Sequence, residues 1–438
     1  MSGDVAARLA QGDATLFVGA TATRALGWLD HPQRYLGAWL DEVDERLPRR
    51  HERTLLLGMG GSSSPARLYA ASRPSSSLVV LDTSNPDTIA ATDFAGANVI
   101  ASSKSGTTVE TQTLLAHALA HGLDPTDLVV VTDPGTSLAE LAGSSGALVV
   151  LGDPHTGGRF SALSPFGLVP ALYAGWTPED LRRELAPNAV SSDLARAALA
   201  DATHHLSDVE SSGAFFALGG DPISDGPTLW LEQLVAETTG KSGRGFIPLA
   251  GGAAPAVTPG RIQHLHLVAA LLARGLGVDP FDQPDVDGAK REVFALLAGG
   301  ATWQEPATDL AATRDALDAA RYVVLQAFAP LESAIALAAL RSRVERRFGP
   351  TTANLGPRYL HSTGQLHKGG PDGVAAVQVV VRPRSAPRRI AGRHYSFHDL
   401  HLAQARGDLR AMLARGRFAV QLVVDTFDEA AELLGLQP

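Results

Sequence analysis

Short apolar runs alternate with helix-like segments along this chain of 438 residues. In the first half the runs lie at 54–57, 78–81, 99–101, 128–131 and 148–151. Strands that alternate with helices in this way predict a parallel sheet with helices on both faces. An amphipathic stretch at 25–47 precedes the first run. We expect this stretch to be helical and to pack on the core that the later elements form.

A second cycle of apolar runs begins near Phe215. Its candidate strands are 214–218, 246–249, 323–327, 375–381 and 418–424, and an alanine-rich helix at 193–205 is the expected bridge between the cycles. The sequence therefore predicts an α/β fold of two subdomains, each a mostly parallel sheet flanked by helices. We place the division near residue 208, so that 1–208 holds the N-terminal helices and the first sheet, and 209–438 holds the second.

The stretch Ala101–Thr111 joins an apolar run to a helix-like segment and is rich in hydroxyl groups. One hydroxyl is enough to cap a helix, but this turn supplies Ser102, Ser103, Ser105, Thr107 and Thr108. Backbone N–H groups at a helix start, the helix dipole and several hydroxyls together form a site for a dianion such as a phosphate. We therefore interpret this turn as an anion site rather than as a simple cap.

Composition narrows the class of protein. Hydrophobic residues make up 45% of the chain and charged residues 19%, which allows a sizeable core. No run of about 18 apolar residues and no basic start before an apolar segment is present, so we expect a cytoplasmic protein without a membrane span or signal peptide. The absence of cysteine excludes disulfides, thiolate nucleophiles and zinc sites that need sulfur. A net charge of -9 gives no support to nucleic-acid binding.

Lysine is rare in this chain. Of 37 basic residues only Lys104, Lys241, Lys290 and Lys368 are lysines, so arginine supplies most of the solvated positive charge. The four positions can be chance survivals, or places where a compact ammonium is needed and a planar guanidinium will not serve. We favour the second interpretation, because each lysine falls in a stretch that stands out for another reason.

Two glycine turns resemble nucleotide-binding motifs without matching them. The turn at 58–64 departs from G-x-G-x-x-G because Ser63 stands at the sixth position, although Asp82 ends the next strand where a ribose-binding acid would stand. The turn at 238–242 departs from a Walker loop because Val235 stands at the leading glycine. We therefore predict no nucleotide cofactor.

Several further residues are candidates for chemistry. Arg159 follows two glycines that allow close approach of a ligand, so its guanidinium could lie over developing negative charge. Glu237 ends a helix whose preceding turns are apolar, a setting that favours a general base. Each has an ordinary alternative, a surface arginine and a salt-bridged glutamate. Gln283 and Lys290 would share a helix face about two turns apart, and His361 could shuttle protons.

The remaining histidines give no metal site. His264 and His266 do not share a helix face. His398 and His401 could share one, but no set of acidic ligands lies near them in sequence. We therefore predict neither a metal ion nor another cofactor.

Taken together, these blocks resemble the phosphoglucose isomerase family, and the match extends over most of the chain. The motifs that carry the resemblance are G-M-G-G-S, S-K-S-G-T-T-V-E-T, G-G-R-F-S, A-E-T-T-G-K, F-D-Q-P-D-V-D-G-A-K and H-S-T-G-Q. The resemblance implies two sugar-isomerase (SIS-type) subdomains that work as a homodimer without metal or cofactor. It also implies roles for individual residues.

By that resemblance Glu237 would be the base that moves a proton between C1 and C2 through a cis-enediol. Arg159 would stabilise the enediolate, His361 with Lys290 would open the sugar ring, and Gln283 would position the substrate. The sugar phosphate would be held by Gly61, Ser62, Ser103, Lys104, Ser105 and Thr108.

The order of the motifs departs from the family. H-S-T-G-Q at 361–365 follows both the Glu237 block and the Gln283–Lys290 block, whereas ordinary members have it between them. In this respect the chain most resembles the isomerase half of transaldolase–isomerase fusions, although no transaldolase portion is present. In the family this histidine comes from the neighbouring subunit, so the position of His361 is the assignment that most needs the structure.

The sequence thus predicts an aldose–ketose isomerase that interconverts glucose 6-phosphate and fructose 6-phosphate. One alternative is a hexose-phosphate isomerase that also accepts mannose 6-phosphate. A second is a sugar-phosphate sensor without catalysis, although phosphate binding alone would require none of Glu237, Arg159 and Lys290. A dinucleotide-dependent enzyme is a third and would require NAD binding.

Overall fold

A computed structural model describes residues 2–19, 25–73, 76–207, 214–252, 254, 256–299 and 308–437. The predicted division near residue 208 falls within 208–213, outside the described residues, and stays a prediction. In the described part of the chain no helix is both long enough and apolar enough to cross a membrane.

The first sheet has five strands and forms from the first cycle of apolar runs. Its strands are β1 (Thr54–Gly58), β2 (Leu78–Leu81), β3 (Asn98–Ser102), β4 (Leu128–Thr132) and β5 (Leu148–Leu151). They pair in the order β2-β1-β3-β4-β5, and every pairing is parallel. Gly58 of β1 is in register with Ser102 of β3, so the turns that follow these two strands lie side by side at the carboxyl edge.

Within the described residues from 214 onward, the second cycle forms six strands in two sheets. They are β6 (Phe215–Ala217), β7 (Ile247–Leu249), β8 (Tyr322–Phe328), β9 (Thr351–Gly356), β10 (Val374–Val381) and β11 (Phe418–Val424). Strands β8 to β11 pair in parallel in the order β11-β10-β8-β9, whereas β6 and β7 form a separate parallel pair. The predicted α/β class with parallel sheets is confirmed. The splitting into two sheets and strand β9 were not predicted.

The described helices, numbered here in chain order, connect and cover the strands. They are α1 (Ser2–Ala10), α2 (His31–Tyr35), α3 (Ala38–Arg46), α4 (Ser64–Ala71), α5 (Pro86–Ala91), α6 (Val109–Ala120), α7 (Ser137–Ser145), α8 (Pro165–Tyr173), α9 (Pro178–Leu185), α10 (Ser192–Ser207), α11 (Gly226–Thr239), α12 (Ile262–Leu276), α13 (Val286–Ala298), α14 (Leu310–Ala319), α15 (Ala334–Phe348), α16 (Gly364–Gly369), α17 (Phe397–Ala414) and α18 (Phe427–Leu433). The predicted N-terminal amphipathic stretch forms α2, α3 and a preceding 3-10 turn at Gly27–Asp30.

The two faces of the first sheet belong to different hydrophobic clusters, because successive side chains of a strand point to opposite faces. Leu56 packs in a cluster with the N-terminal elements and with α8, α11 and α12. Leu57 packs in the other cluster, with Val293 of α13 and Phe397 of α17. Helices α13 and α17, which come from the second cycle, therefore cover one face of the first sheet. This packing brings the helix that carries Lys290 close to the turn after β3.

Candidate active site

The turn after β1 meets a second glycine turn at very close range. Gly60–Ser62 forms a 3-10 turn that packs against the 3-10 turn Gly158–Phe160. A Cβ atom added at Gly61 would lie 2.1 Å from the carbonyl oxygen of Gly158, so only glycine fits there. Ser161 Oγ donates a hydrogen bond to the Gly61 carbonyl oxygen at 2.9 Å. This contact sets the position of Arg159, which lies within the second turn.

Arg159 and Glu237 form a buried ion pair. Arg159 Nη1 lies 3.1 Å from Glu237 Oε1, and the two residues are 3% and 4% exposed. Arg159 Nη2 also donates to the carbonyl oxygens of Pro280 and Asp282, at 3.0 Å each. The guanidinium compensates the charge of the buried carboxylate, as burial of either group requires. Two residues that the sequence singled out separately thus meet in space.

Gln233 links this ion pair to the turn that carries His361. Gln233 Nε2 donates to Glu237 Oε2 and to the backbone oxygen of His361, at 3.0 Å each. Its own Oε1 accepts a hydrogen bond from Ser64 Oγ at 2.6 Å. Gly60 has φ +51°, and a Cβ atom there would lie 2.4 Å from the His361 carbonyl oxygen. In the rearranged motif order the backbone of His361 is thus connected to Glu237 through one side chain, that of Gln233.

The imidazole of His361 contacts a buried carboxylate that sequence reasoning missed. His361 Nε2 lies 2.8 Å from Glu110 Oε1, and Gln404 Nε2 donates to the same oxygen at 2.6 Å. Burial acts to raise the pKa of Glu110, but the His361 charge and the hydrogen bonds outweigh it and the pKa is lowered. An acidic residue in the first turn of the helix after the hydroxyl-rich loop was the available sequence signal for Glu110. No comparable signal pointed to Gln404.

A cavity of about 280 Å³ opens beside His361. The hydroxyl residues Ser105, Thr107 and Thr108 line one side, and Lys290 lies on another. Val293 and Phe294 of α13 give the cavity an apolar wall, so it joins a few polar groups to apolar surface as small-molecule sites do. Three predicted site elements, namely the hydroxyl turn, Lys290 and His361, therefore share one cavity.

Other predicted residues lie near the cavity without lining it. Arg159 and Glu237 lie behind the His361 turn, connected through Gln233. Lys104 Nζ donates to the Asp153 carbonyl oxygen at 2.8 Å and to the Asp133 carboxylate, so its ammonium is engaged in another direction.

Among the predicted hydroxyl residues, Ser103 Oγ is hydrogen-bonded to Thr108 Oγ1 at 2.9 Å, and Ser62 is buried. Gln283 is exposed and lies outside the cavity lining. The phosphate roles of Ser62, Ser103 and Lys104 and the positioning role of Gln283 stay predictions.

The two turns that resemble nucleotide motifs have other contacts. Asp82 is buried and accepts hydrogen bonds from Arg67 Nε at 3.0 Å and Nη2 at 2.7 Å. Lys241 is buried and donates to Asp282 Oδ1 at 2.8 Å. Both side chains therefore bind other protein groups, in agreement with the prediction that these turns are not nucleotide-binding motifs.

The chain was compared with family models, with curated proteins and with solved structures. No family model matches the chain. A glucose-6-phosphate isomerase of Thermus thermophilus is 32% identical over 343 residues, which are 70% of this chain and 79% of that protein. A probable glucose-6-phosphate isomerase of Natronomonas pharaonis is 31% identical over 223 residues, 45% of this chain and 49% of that protein. A solved glucose-6-phosphate isomerase structure from Chlamydia trachomatis has a TM-score of 0.49 at 16% identity, covering 65% of this chain and 76% of that one.

Proposed function

The chain belongs to the glucose-6-phosphate isomerase family, and from that premise we propose that it interconverts glucose 6-phosphate and fructose 6-phosphate. The observation that carries the proposal is the hydrogen-bond chain from Arg159 through Glu237 and Gln233 to the His361 turn. A protein that only binds a phosphate has no need of a buried carboxylate and guanidinium connected to a turn that carries a histidine. A proton-transfer enzyme needs a base, a charge stabiliser and an acid at short range.

In this proposal the substrate phosphate binds at the start of α6. Thr108 is the N-cap residue of this 12-residue helix, and its side chain makes no capping hydrogen bond. Ser105 and Thr107 face the same cavity, and Lys290 lines another part of it. Backbone N–H groups at a helix start and hydroxyls are groups that hold a phosphate dianion, which leaves Lys290 for the other end of the substrate. Anchoring the phosphate there orients the distant reacting carbons toward His361 and Glu237.

The reaction moves one proton and leaves the overall composition of the sugar unchanged. His361, with Lys290, moves a proton between the ring oxygen and the C1 hydroxyl so that the ring opens. Glu237 then removes the proton from C2 of the aldose, and the electron pair forms a C1–C2 double bond as negative charge develops on O1. Arg159 stabilises this cis-enediolate until O1 takes up a proton from solvent. O2 then releases its proton to solvent while Glu237 returns the first proton to C1, which leaves C2 oxidised to a ketone and C1 reduced to an alcohol.

Substrate binding must draw Glu237 away from its present partners. Its Oε1 contacts Arg159 and its Oε2 accepts from Gln233, so both oxygens are engaged. Hydrogen bonds of catalytic groups commonly rearrange when the substrate enters. Arg159 remains next to the reacting carbons when this happens, because its Nη2 stays bound to the carbonyl oxygens of Pro280 and Asp282.

The test is isomerisation of fructose 6-phosphate in deuterium oxide, with the wild type and the Glu237→Gln variant. We expect wild-type turnover with deuterium at C2 of the glucose 6-phosphate formed, and loss of both by about 100-fold or more in the variant. Glutamine preserves the shape of the side chain and removes its basicity. Unchanged turnover in Glu237→Gln would rule out this base. Absence of wild-type turnover, with phosphate binding intact, would favour a sensor.

A further inference from the structure

The turn that carries His361 is held by two buried carboxylates, one from each side. The first is Asp82, which directly follows β2 of the first sheet and is 1% exposed. Arg358, the first residue of the 3-10 turn Arg358–His361, places its Nε 3.2 Å from Asp82 Oδ2. Arg67 of α4 binds the same carboxylate through two nitrogens. Asp82 thus joins the start of the His361 turn to the first sheet.

The second carboxylate is Asp408 of α17, which is 0% exposed. Its Oδ2 accepts a hydrogen bond from the Tyr359 hydroxyl at 2.8 Å, and its Oδ1 lies 2.6 Å from Lys368 Nζ. Lys368 in turn donates to the Gly364 carbonyl oxygen at 3.1 Å. Asp408 therefore fixes residues on both sides of His361, one through a tyrosine and the other through a lysine.

Burying these charged groups costs desolvation free energy. A gain in stability alone therefore does not explain them, whereas a fixed geometry of the His361 turn does. Fully buried ion pairs often contribute no more stability than apolar side chains of similar volume. Asp82 and Asp408 bind side chains in or next to the His361 turn, namely Arg358, Tyr359 and Lys368. Asp82 also binds Arg67 of helix α4. With Gln233 Nε2 on the His361 carbonyl oxygen, the turn is connected to β2, α11 and α17 at once. Each of these connections is made within a single chain.

We propose that Asp82 and Asp408 are positioning residues that hold His361 in the pocket, facing Glu110. The inference rests on the proposed function, because it assigns His361 a part in ring opening. Neither carboxylate touches the cavity, so each acts through Arg358, Tyr359 or Lys368. Phosphate binding by the hydroxyl turn does not depend on either.

The first test observes His361 directly and does not require activity. Histidine labelled with ¹⁵N is followed by NMR, and the His361 signals are assigned by their loss in His361→Gln. We expect Asp82→Asn and Asp408→Asn to shift these signals, because the imidazole moves relative to Glu110. Asp127→Asn is the matched control. Asp127 is 7% exposed and lies 2.9 Å from His51 Nε2, at the opposite edge of the first sheet. Its replacement should leave the His361 signals in place.

The second measurement is the rate at which each protein interconverts the two ring forms of glucose 6-phosphate, observed by exchange NMR. Displacement of a catalytic group by about 1 Å can lower a rate by about 100-fold. We expect a loss of about that size in Asp82→Asn and Asp408→Asn and a change of less than about twofold in Asp127→Asn. Where Asp82→Asn does not fold, Arg358→Lys provides the same comparison with the positive charge kept.

Unshifted His361 signals in folded Asp82→Asn or Asp408→Asn would overturn the positioning role. So would signals that move equally in Asp127→Asn. Shifted signals in a protein without any isomerase activity would support the positioning role and refute the proposed function, so the two failures are distinguishable.

Discussion

The buried ammonium of Lys241 predicts how the stability of the protein changes with pH. The residue is 2% exposed, and its ammonium donates to the carbonyl oxygens of Asp279 and Asp282, the latter at 2.7 Å, and to Asp282 Oδ1 at 2.8 Å. Its three protons thus have three acceptors, which a planar guanidinium would not match. Burial, together with the charge of Arg159, lowers the pKa of Lys241 from 10.5 to about 8, although Asp282 acts in the opposite direction.

The sign of the effect on stability follows from proton binding. In the unfolded chain Lys241 keeps its proton up to pH 10.5, whereas in the folded protein it loses it near its pKa of about 8. Between these values the unfolded state binds more protons, so stability rises with pH. The difference corresponds to about 3 kcal/mol. The penalty for burying the charged ammonium is therefore fully present below pH 8 and is relieved as the pH approaches 10.5.

The assay is urea unfolding of the wild type, Lys241→Met and Lys241→Arg at a series of pH values from 7 to about 10.5. We expect the unfolding free energy of the wild type to rise by about 3 kcal/mol relative to Lys241→Met across that range. Methionine does not titrate, and arginine keeps its proton, so the difference between the two variants should stay flat. A wild-type curve that runs parallel to that of Lys241→Met would refute the reasoning.

Three further predictions concern Glu232, Glu110 and Gly61. Glu232 is buried, and burial raises its pKa to about 8 although Asn354 acts against this, so the folded protein loses stability as the pH rises from 4.5 through 8. Urea unfolding at pH 9 should show Glu232→Gln more stable than the wild type by up to about 5 kcal/mol, and a less stable variant would contradict this. Glu110→Gln should lower kcat for fructose 6-phosphate by about tenfold or more with little change in KM, because His361 loses its charged partner. Steady-state kinetics measure both constants, and an unchanged kcat would contradict a catalytic role for the His361–Glu110 contact. Gly61→Ala should destabilise the protein by about 1–3 kcal/mol in thermal unfolding. Gly157→Ala is the control and should not destabilise it, because the added Cβ would contact only Phe160 at 3.8 Å. Equal effects of the two substitutions would contradict the close contact of the two turns.

The strands of the first sheet were predictable because their buried residues form short apolar runs in the sequence. Runs such as 78–81 and 148–151 match β2 and β5 residue for residue. Strand β9 has the sequence T-T-A-N-L-G, which lacks a continuous apolar run although all six residues are buried. Its polar side chains are buried, and Asn354 donates a hydrogen bond to Glu232 of helix α11. A pattern based on hydrophobicity cannot detect such a strand.

By itself the sequence determined which stretches are candidates for chemistry. The hydroxyl turn, Arg159, Glu237 and His361 stood out because glycine turns, capping residues and helix ends are local features of the chain. Only the tertiary structure decided which of these side chains meet. His361 and Glu110 are separated by 251 positions, and their contact depends on how the second cycle packs on the first sheet. The pairing of β3 with β4 directs Lys104 toward Asp133, and the packing of the second cycle places Arg358 against Asp82. Contacts between distant residues depend on the packing of whole elements, which no local pattern encodes.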